Sequence, residues 1–99
     1  MLQEIAARGL NRCLVDPTVS DDELHIHITE VGPGERAHPP HTHSGIEAFY
    51  ILQGEGTLEI GEERYPLKAN ESAIFRPGTV HGLVNTGSGP LRYMVIIRR

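Results

Sequence analysis

His41-Thr42-His43, Glu47 and the distant His81 are side chains of the kinds that hold a divalent metal ion, imidazole nitrogens and one carboxylate. His41 and His43 stand two apart, so in an extended segment they point to one face. Glu47 shares their parity. It can join them if the chain stays extended or turns tightly at Ser44-Gly45. Three neutral imidazoles and a carboxylate suit Mn, Fe, Co, Ni, Cu or Zn, whereas Ca and Mg prefer all-oxygen shells. Such a ligand set leaves room on a five- or six-coordinate ion for water, oxygen or a small ligand.

The elements that must position these groups read as short strands. Leu24-His25-Ile26-His27-Ile28-Thr29 alternates apolar and polar residues, as a half-buried strand does. Ala37 to His43 is expected to be extended, with Pro39-Pro40 placing it at an edge or rim. Ile46 to Gln53 is the most hydrophobic run and should be a central strand. Gly54-Glu55-Gly56 turns the chain into Thr57–Ile60, and Gly61-Glu62-Glu63 turns it again into Arg64–Leu67, a hairpin. Further strands are expected at Ser72–Phe75, His81–Asn85 and Leu91–Ile97. Residues 2–8 have room for one or two helical turns, ended by Gly9. Turn signals between short strands predict an all-β sandwich or barrel with a short helix or none at the N-terminus.

Length and charge narrow the partners. Ninety-nine residues with eleven Gly and seven Pro make one small, turn-rich unit, expected to span 1–99 as a single barrel. A net charge of −4 and the lack of a basic stripe argue against nucleic acid. No apolar run is long enough to span a membrane. The first residues lack the basic start and long apolar stretch of a signal peptide. Cys13 is the only cysteine and reads as a small packed residue. A cytoplasmic protein is expected.

Taken together, these residues resemble the small bacterial cupins, β-barrels of the jelly-roll or double-stranded β-helix type. The family's first motif is matched over 34–54 by Gly34, His41, His43, Glu47 and Gly54, with one extra residue between Gly34 and His41. The second is matched over 70–85 by Gly78, His81 and Asn85. Pro77 stands one place late, and Asn70 takes the place of the leading Gly. That exchange is mild, because Asn tolerates positive φ. The resemblance implies a metal held by His41, His43, Glu47 and His81, and a homodimer.

Other residues carry weaker expectations. His25 and His27 share a strand face and either line a pocket above the metal or, the favoured reading, face solvent or a partner. His38 is expected at the rim, where it, His27 and Arg36 are candidates for moving a proton or touching substrate. Phe49 and Ile51 share the parity of Glu47, and Leu83 that of His81, so all three are expected to wall the pocket. Ile46, Ala48 and Tyr50 fall on the opposite face, where apolar groups need a cover. Arg36, Arg76 and Arg92 are the cations with a route to a carboxylate substrate, although a solvated role is favoured for each.

Fold and metal together do not fix a reaction. The leading expectation is a metal-dependent isomerase or lyase acting on a small oxygenated substrate such as a sugar, keto acid or enol, with enolate charge stabilised by the ion. The alternatives are an Fe(II) dioxygenase of catechol- or diketone-like substrates, and a small-molecule or metal-binding module without turnover.

Overall fold

Alternation of apolar and polar side chains along the chain resolves into nine strands and no helix. The computed structural model describes residues 1–99. The strands are β1 (Gln3–Ile5), β2 (Cys13–Val15), β3 (His25–Val31), β4 (Ile46–Gln53), β5 (Glu55–Ile60), β6 (Glu63–Lys68), β7 (Ser72–Phe75), β8 (His81–Asn85) and β9 (Leu91–Arg98). They form a sheet in the order β3-β9-β4-β7, a second in the order β6-β5-β8, and the separate pair β1-β2. Every pairing is antiparallel. This is the expected all-β jelly-roll barrel, and no helix is long and apolar enough to cross a membrane.

The core lies between the two larger sheets. Along β4, Glu47, Phe49 and Ile51 are buried while Tyr50 is exposed, and along β9 Leu91, Tyr93, Val95 and Ile97 are buried. The period of two puts these sets on one face. Phe49, Ile51, Leu91, Tyr93, Val95 and Ile97 meet Leu58 of β5 and Leu83 of β8 in one cluster. Glu47 sits at the end of that same buried face, so the rule that builds the core also carries a carboxylate into it.

Two expectations are corrected. Residues 2–8 are not helical: Gln3–Ile5 pairs with Cys13–Val15 as a hairpin. So short a segment gains little from helix nucleation, whereas strand pairing gives its backbone groups partners across the turn. Ala37–His43 is not a continuous strand either. It bends at Ala37-His38 and touches the sheet only through the His41–His81 bridge, in keeping with the donors that Pro39-Pro40 cannot supply.

Several motif residues have structural work. Gly54 has φ +89°, and a Cβ there would fall 2.3 Å from the Pro90 carbonyl oxygen. It forms no hairpin. It is the corner at which the chain leaves the sheet containing β4 for the one containing β5. Asn70 adopts φ 67°, as its place in the motif requires. Asn85, 1% exposed, donates to the Val31 and Gly89 carbonyls and accepts from the Gly87 N–H. Its own carbonyl accepts from the Gly34 N–H, which ties the start of the first motif to the end of the second. Gly54→Ala combines a forbidden φ with a backbone clash, so it is expected to cost about 3 kcal/mol of stability, measured by urea denaturation.

Candidate metal centre

Four side chains from three parts of the chain converge at one end of the barrel. Glu47 enters from the start of β4 and His81 from the start of β8. His41 and His43 come from the segment before β4. Reciprocal backbone bonds of 3.0 Å between His41 and His81 pin that segment, and a 2.9 Å bond from the His43 N–H to the Pro77 carbonyl holds it further. Ser44-Gly45 then reverses the chain into β4. Gly45 has φ +101°, and a Cβ there would lie 1.9 Å from the Arg98 carbonyl oxygen. Of the two routes open to Glu47, the chain takes the tight turn.

The nitrogens of His41, His43 and His81 that could serve as ligands lie within 4.8 Å of one another. Oε1 of Glu47 is 2.9 Å from Nε2 of both His43 and His81. Glu47 is 3% exposed and His81 fully buried. Backbone carbonyls fix the orientation of two rings: His43 Nδ1 lies 3.2 Å from the Ser44 oxygen, and His81 Nδ1 3.0 Å from the Thr79 oxygen. With Nδ1–H donated to a carbonyl, the Nε2 lone pair of each ring faces the centre, the tautomer that metal-bound imidazoles adopt. Phe75 packs edge-on against the His81 ring with centroids 5.1 Å apart.

The donor set fits a metal ion by its hydrogen bonding. His41 Nδ1 and His81 Nε2 are buried with no hydrogen-bond partner. His81 Nε2 is close to Glu47 but misaligned with it for a hydrogen bond, as atoms converging on a common third point would be. A buried polar atom without a partner costs about 1–3 kcal/mol, a cost that coordination would remove. Burial, with His38 and His81 as neighbours, also holds His41 below the usual imidazole range, so the ring is in its ligating, neutral form.

A cavity of about 320 Å³ opens over the cluster. Phe49, Tyr93, Val95 and Ile97 form its apolar side, and His25, His27 and His38 another. His25 and His27 therefore face the cavity, not solvent as favoured from sequence. Register with β9 pairs His25 with Ile97 and His27 with Val95, whose side chains face inward, and Asp21 accepts from His25 Nδ1 at 2.7 Å. His25 Nε2 lies 2.6 Å from His27 Nδ1. Burial first, then the charge of Arg8, pushes His27 down to about 4. His38 is at the rim as expected, exposed and edge-on to His41.

Other expected site residues stand elsewhere. Ile51 and Leu83 belong to the core cluster and not to the cavity lining. Arg36 is drawn to the other sheet, 2.8 Å from Glu59, over the space left by Gly82, where a Cβ would lie 3.2 Å from its guanidinium. Arg92 lies beside Glu30, and Arg76 is exposed. The cations lining the cavity are Arg8 and Arg99, which sequence reasoning missed. Reading residues 2–8 as helix hid Arg8, and no local motif marks Arg99.

His27 is expected to stay neutral from pH 7 down to about 4, followed by side-chain NMR. The unfolded chain takes up this proton near 6.5. Below that pH the unfolded state binds more protons, so His27 makes stability fall as pH drops from 6.5 toward 4. His27→Gln should flatten that slope in denaturation measured across the window.

The cupin domain profile matches residues 27–97, which contain all four converging side chains. The chain is 36% identical over 86 residues to auxin-binding protein 1 of Arabidopsis thaliana, covering 78% of this chain and 43% of that protein. It is 35% identical over 71 residues to the mannose-1-phosphate guanylyltransferase RfbM of Salmonella typhimurium, covering 72% and 15%. It thus spans less than half the length of these two relatives. The crystal structure of a predicted oxalate decarboxylase from Thermotoga maritima superposes with a TM-score of 0.71 at 25% identity, over 98% of this chain and 90% of that one. Family match, strand order and the placement of both motifs agree: the chain belongs to the cupin family.

Proposed function

We propose that His41, His43, Glu47 and His81 together hold one divalent transition-metal ion, and that the site is that of a metal-dependent enzyme of isomerase or lyase type acting on a small oxygenated substrate. The observation that carries this reading is the pair of buried, partnerless imidazole nitrogens, His41 Nδ1 and His81 Nε2, beside a buried carboxylate. Bound there, such an ion would supply Lewis-acid stabilisation of charge developing on substrate oxygen. The protein's own part is to orient and to exclude water. Phe49, Tyr93, Val95 and Ile97 present apolar surface to the ligand, and His27, held neutral, is placed to accept a proton. The likeness to a predicted oxalate decarboxylase favours a lyase. Residues 1–99 are taken as one barrel, and a cytoplasmic location fits the composition.

Metal added to chelator-treated protein should raise the melting temperature. At free metal about 100 times Kd the stabilisation is about 2.7 kcal/mol. His43→Ala should abolish most of that rise while leaving the metal-free protein folded. An unchanged melting curve with every first-row divalent ion would defeat the reading.

The outer face of the four-stranded sheet exposes an apolar patch: Ile74 is 76% and Tyr50 37% exposed, with Ile26, Ile46, Met94 and Ile96 half-buried beside them. We take this face to be the contact of a homodimer, because monomers rarely leave so much contiguous apolar sheet uncovered. Ile74→Lys should shift the mass measured by sedimentation from dimer to monomer.

A further inference from the structure

Asp21, His25 and His27 form a hydrogen-bonded chain whose protons have a defined order. Asp21 Oδ1 lies 2.7 Å from His25 Nδ1, and His25 Nε2 lies 2.6 Å from His27 Nδ1. A carboxylate only accepts, so His25 Nδ1 carries the proton of the first bond. A neutral imidazole has one N–H, which makes His25 Nε2 an acceptor. The proton of the second bond therefore sits on His27 Nδ1. Burial, then the charge of Arg8, keeps His27 itself neutral, so its Nε2 holds a lone pair and no proton. That nitrogen makes no hydrogen bond within the protein, and its ring lines the cavity over the cluster.

The fold holds all three groups in place. Both rings are borne by β3, two residues apart and in register with Ile97 and Val95 of β9. The contact between them is part-buried, which limits competition from water. Asp21 is exposed, but its backbone is not free. The Glu23 and Leu24 N–H groups both donate to the Ser20 carbonyl, at 3.1 and 3.3 Å, and close a turn around Asp21. The Asp22 carbonyl accepts from the Arg99 N–H at 2.9 Å, which fastens that turn to the residue that follows β9. The carboxylate is thus returned to the start of β3, four residues before the ring it orients.

We propose that Asp21 and His25 are positioning residues that hold His27 in its Nδ1–H tautomer and so present its Nε2 to the cavity as a base. The proposal rests on the reading of His27 as proton acceptor given above; the tautomer itself depends on no metal. The hydrogen bond made by one ring nitrogen decides which form the other takes. A free neutral histidine favours the proton on Nε2, the form in which that nitrogen could not accept another. The chain reverses this preference and fixes the lone pair before any substrate arrives. When Nε2 takes up a proton, the charge formed on His27 stays hydrogen-bonded to His25 and, through it, linked to the Asp21 carboxylate. No proton has to leave Nδ1, and the carboxylate orients without being protonated itself.

The test is long-range proton–nitrogen correlation NMR of the histidine rings in the full chain, treated with chelator and held at about pH 8, above the ordinary imidazole range. His27 is expected with its proton on Nδ1 in about tenfold excess over Nε2, the worth of one hydrogen bond. His25→Phe keeps a ring and removes the acceptor, so His27 should revert to the Nε2–H majority. His25→Gln, whose amide oxygen can accept in place of the imidazole nitrogen, should restore much of the Nδ1–H form. Asp21→Ala changes an exposed turn residue, should fold as the parent does, and should lower the Nδ1–H excess at His27. A purely structural role for Asp21 would alter stability and leave the tautomer as it was. The proposal is overturned if His27 carries its proton on Nε2 in the unaltered chain, as it would beside a doubly protonated His25. It is equally overturned if neither His25→Phe nor Asp21→Ala moves that proton. The melting test with added metal is independent of this one. Metal uptake with His27 as Nε2–H sinks this proposal alone, and no uptake with His27 as Nδ1–H sinks the metal site alone.

Discussion

The reciprocal backbone pair between His41 and His81 is the constraint on which the rest of the site depends. A segment rich in proline has few donors with which to join a sheet, and this one joins at a single residue. That one bridge brings two ring side chains from distant parts of the sequence to one end of the barrel. The His43 N–H on Pro77 and the tight reversal at Gly45 then leave the segment little freedom. A site assembled in this way is rigid before any ligand arrives, which limits the ordering entropy that binding must overcome.

The electrostatics of the cavity follow from how its walls are built. Burial disfavours charge on His27 and His41 because an imidazolium there would give up water for a low-dielectric wall. Neutral rings can accept a proton or a metal. Glu47 stays buried at the point where imidazole nitrogens converge. The electron-donor cluster lies at the floor of the cavity, with Phe49, Tyr93, Val95 and Ile97 as its apolar wall.

How much of this was legible in the sequence can be judged residue by residue. The two-residue period of β4, counted from Glu47, made Phe49 and Ile51 readable as inward-facing. The same alternation could not tell core from cavity, since both lie on the inner face. Ile51 and Leu83 proved to be core, and Phe49 the residue that reaches the opening. The inward placement of His25 and His27 depended on their register with Ile97 and Val95 of β9, a long-range pairing that periodicity within β3 does not encode. The ion pair of Arg36 was not legible, because Glu59 becomes its neighbour only when β5 pairs with β8 and Gly82 leaves room.

By itself the sequence determined the barrel, its family and the four side chains brought together, because these rest on local periods, turn residues and motif spacings. Asn70 at positive φ was likewise predictable from the motif position and the chemistry of its side chain. The tertiary structure alone decided which cations stand over the cluster and which histidines face it. Arg8 and Arg99 lie ninety-one positions apart, each held by a backbone bond to the region around β3. No local pattern can encode contacts of that range, so the identity of the rim had to wait for the fold.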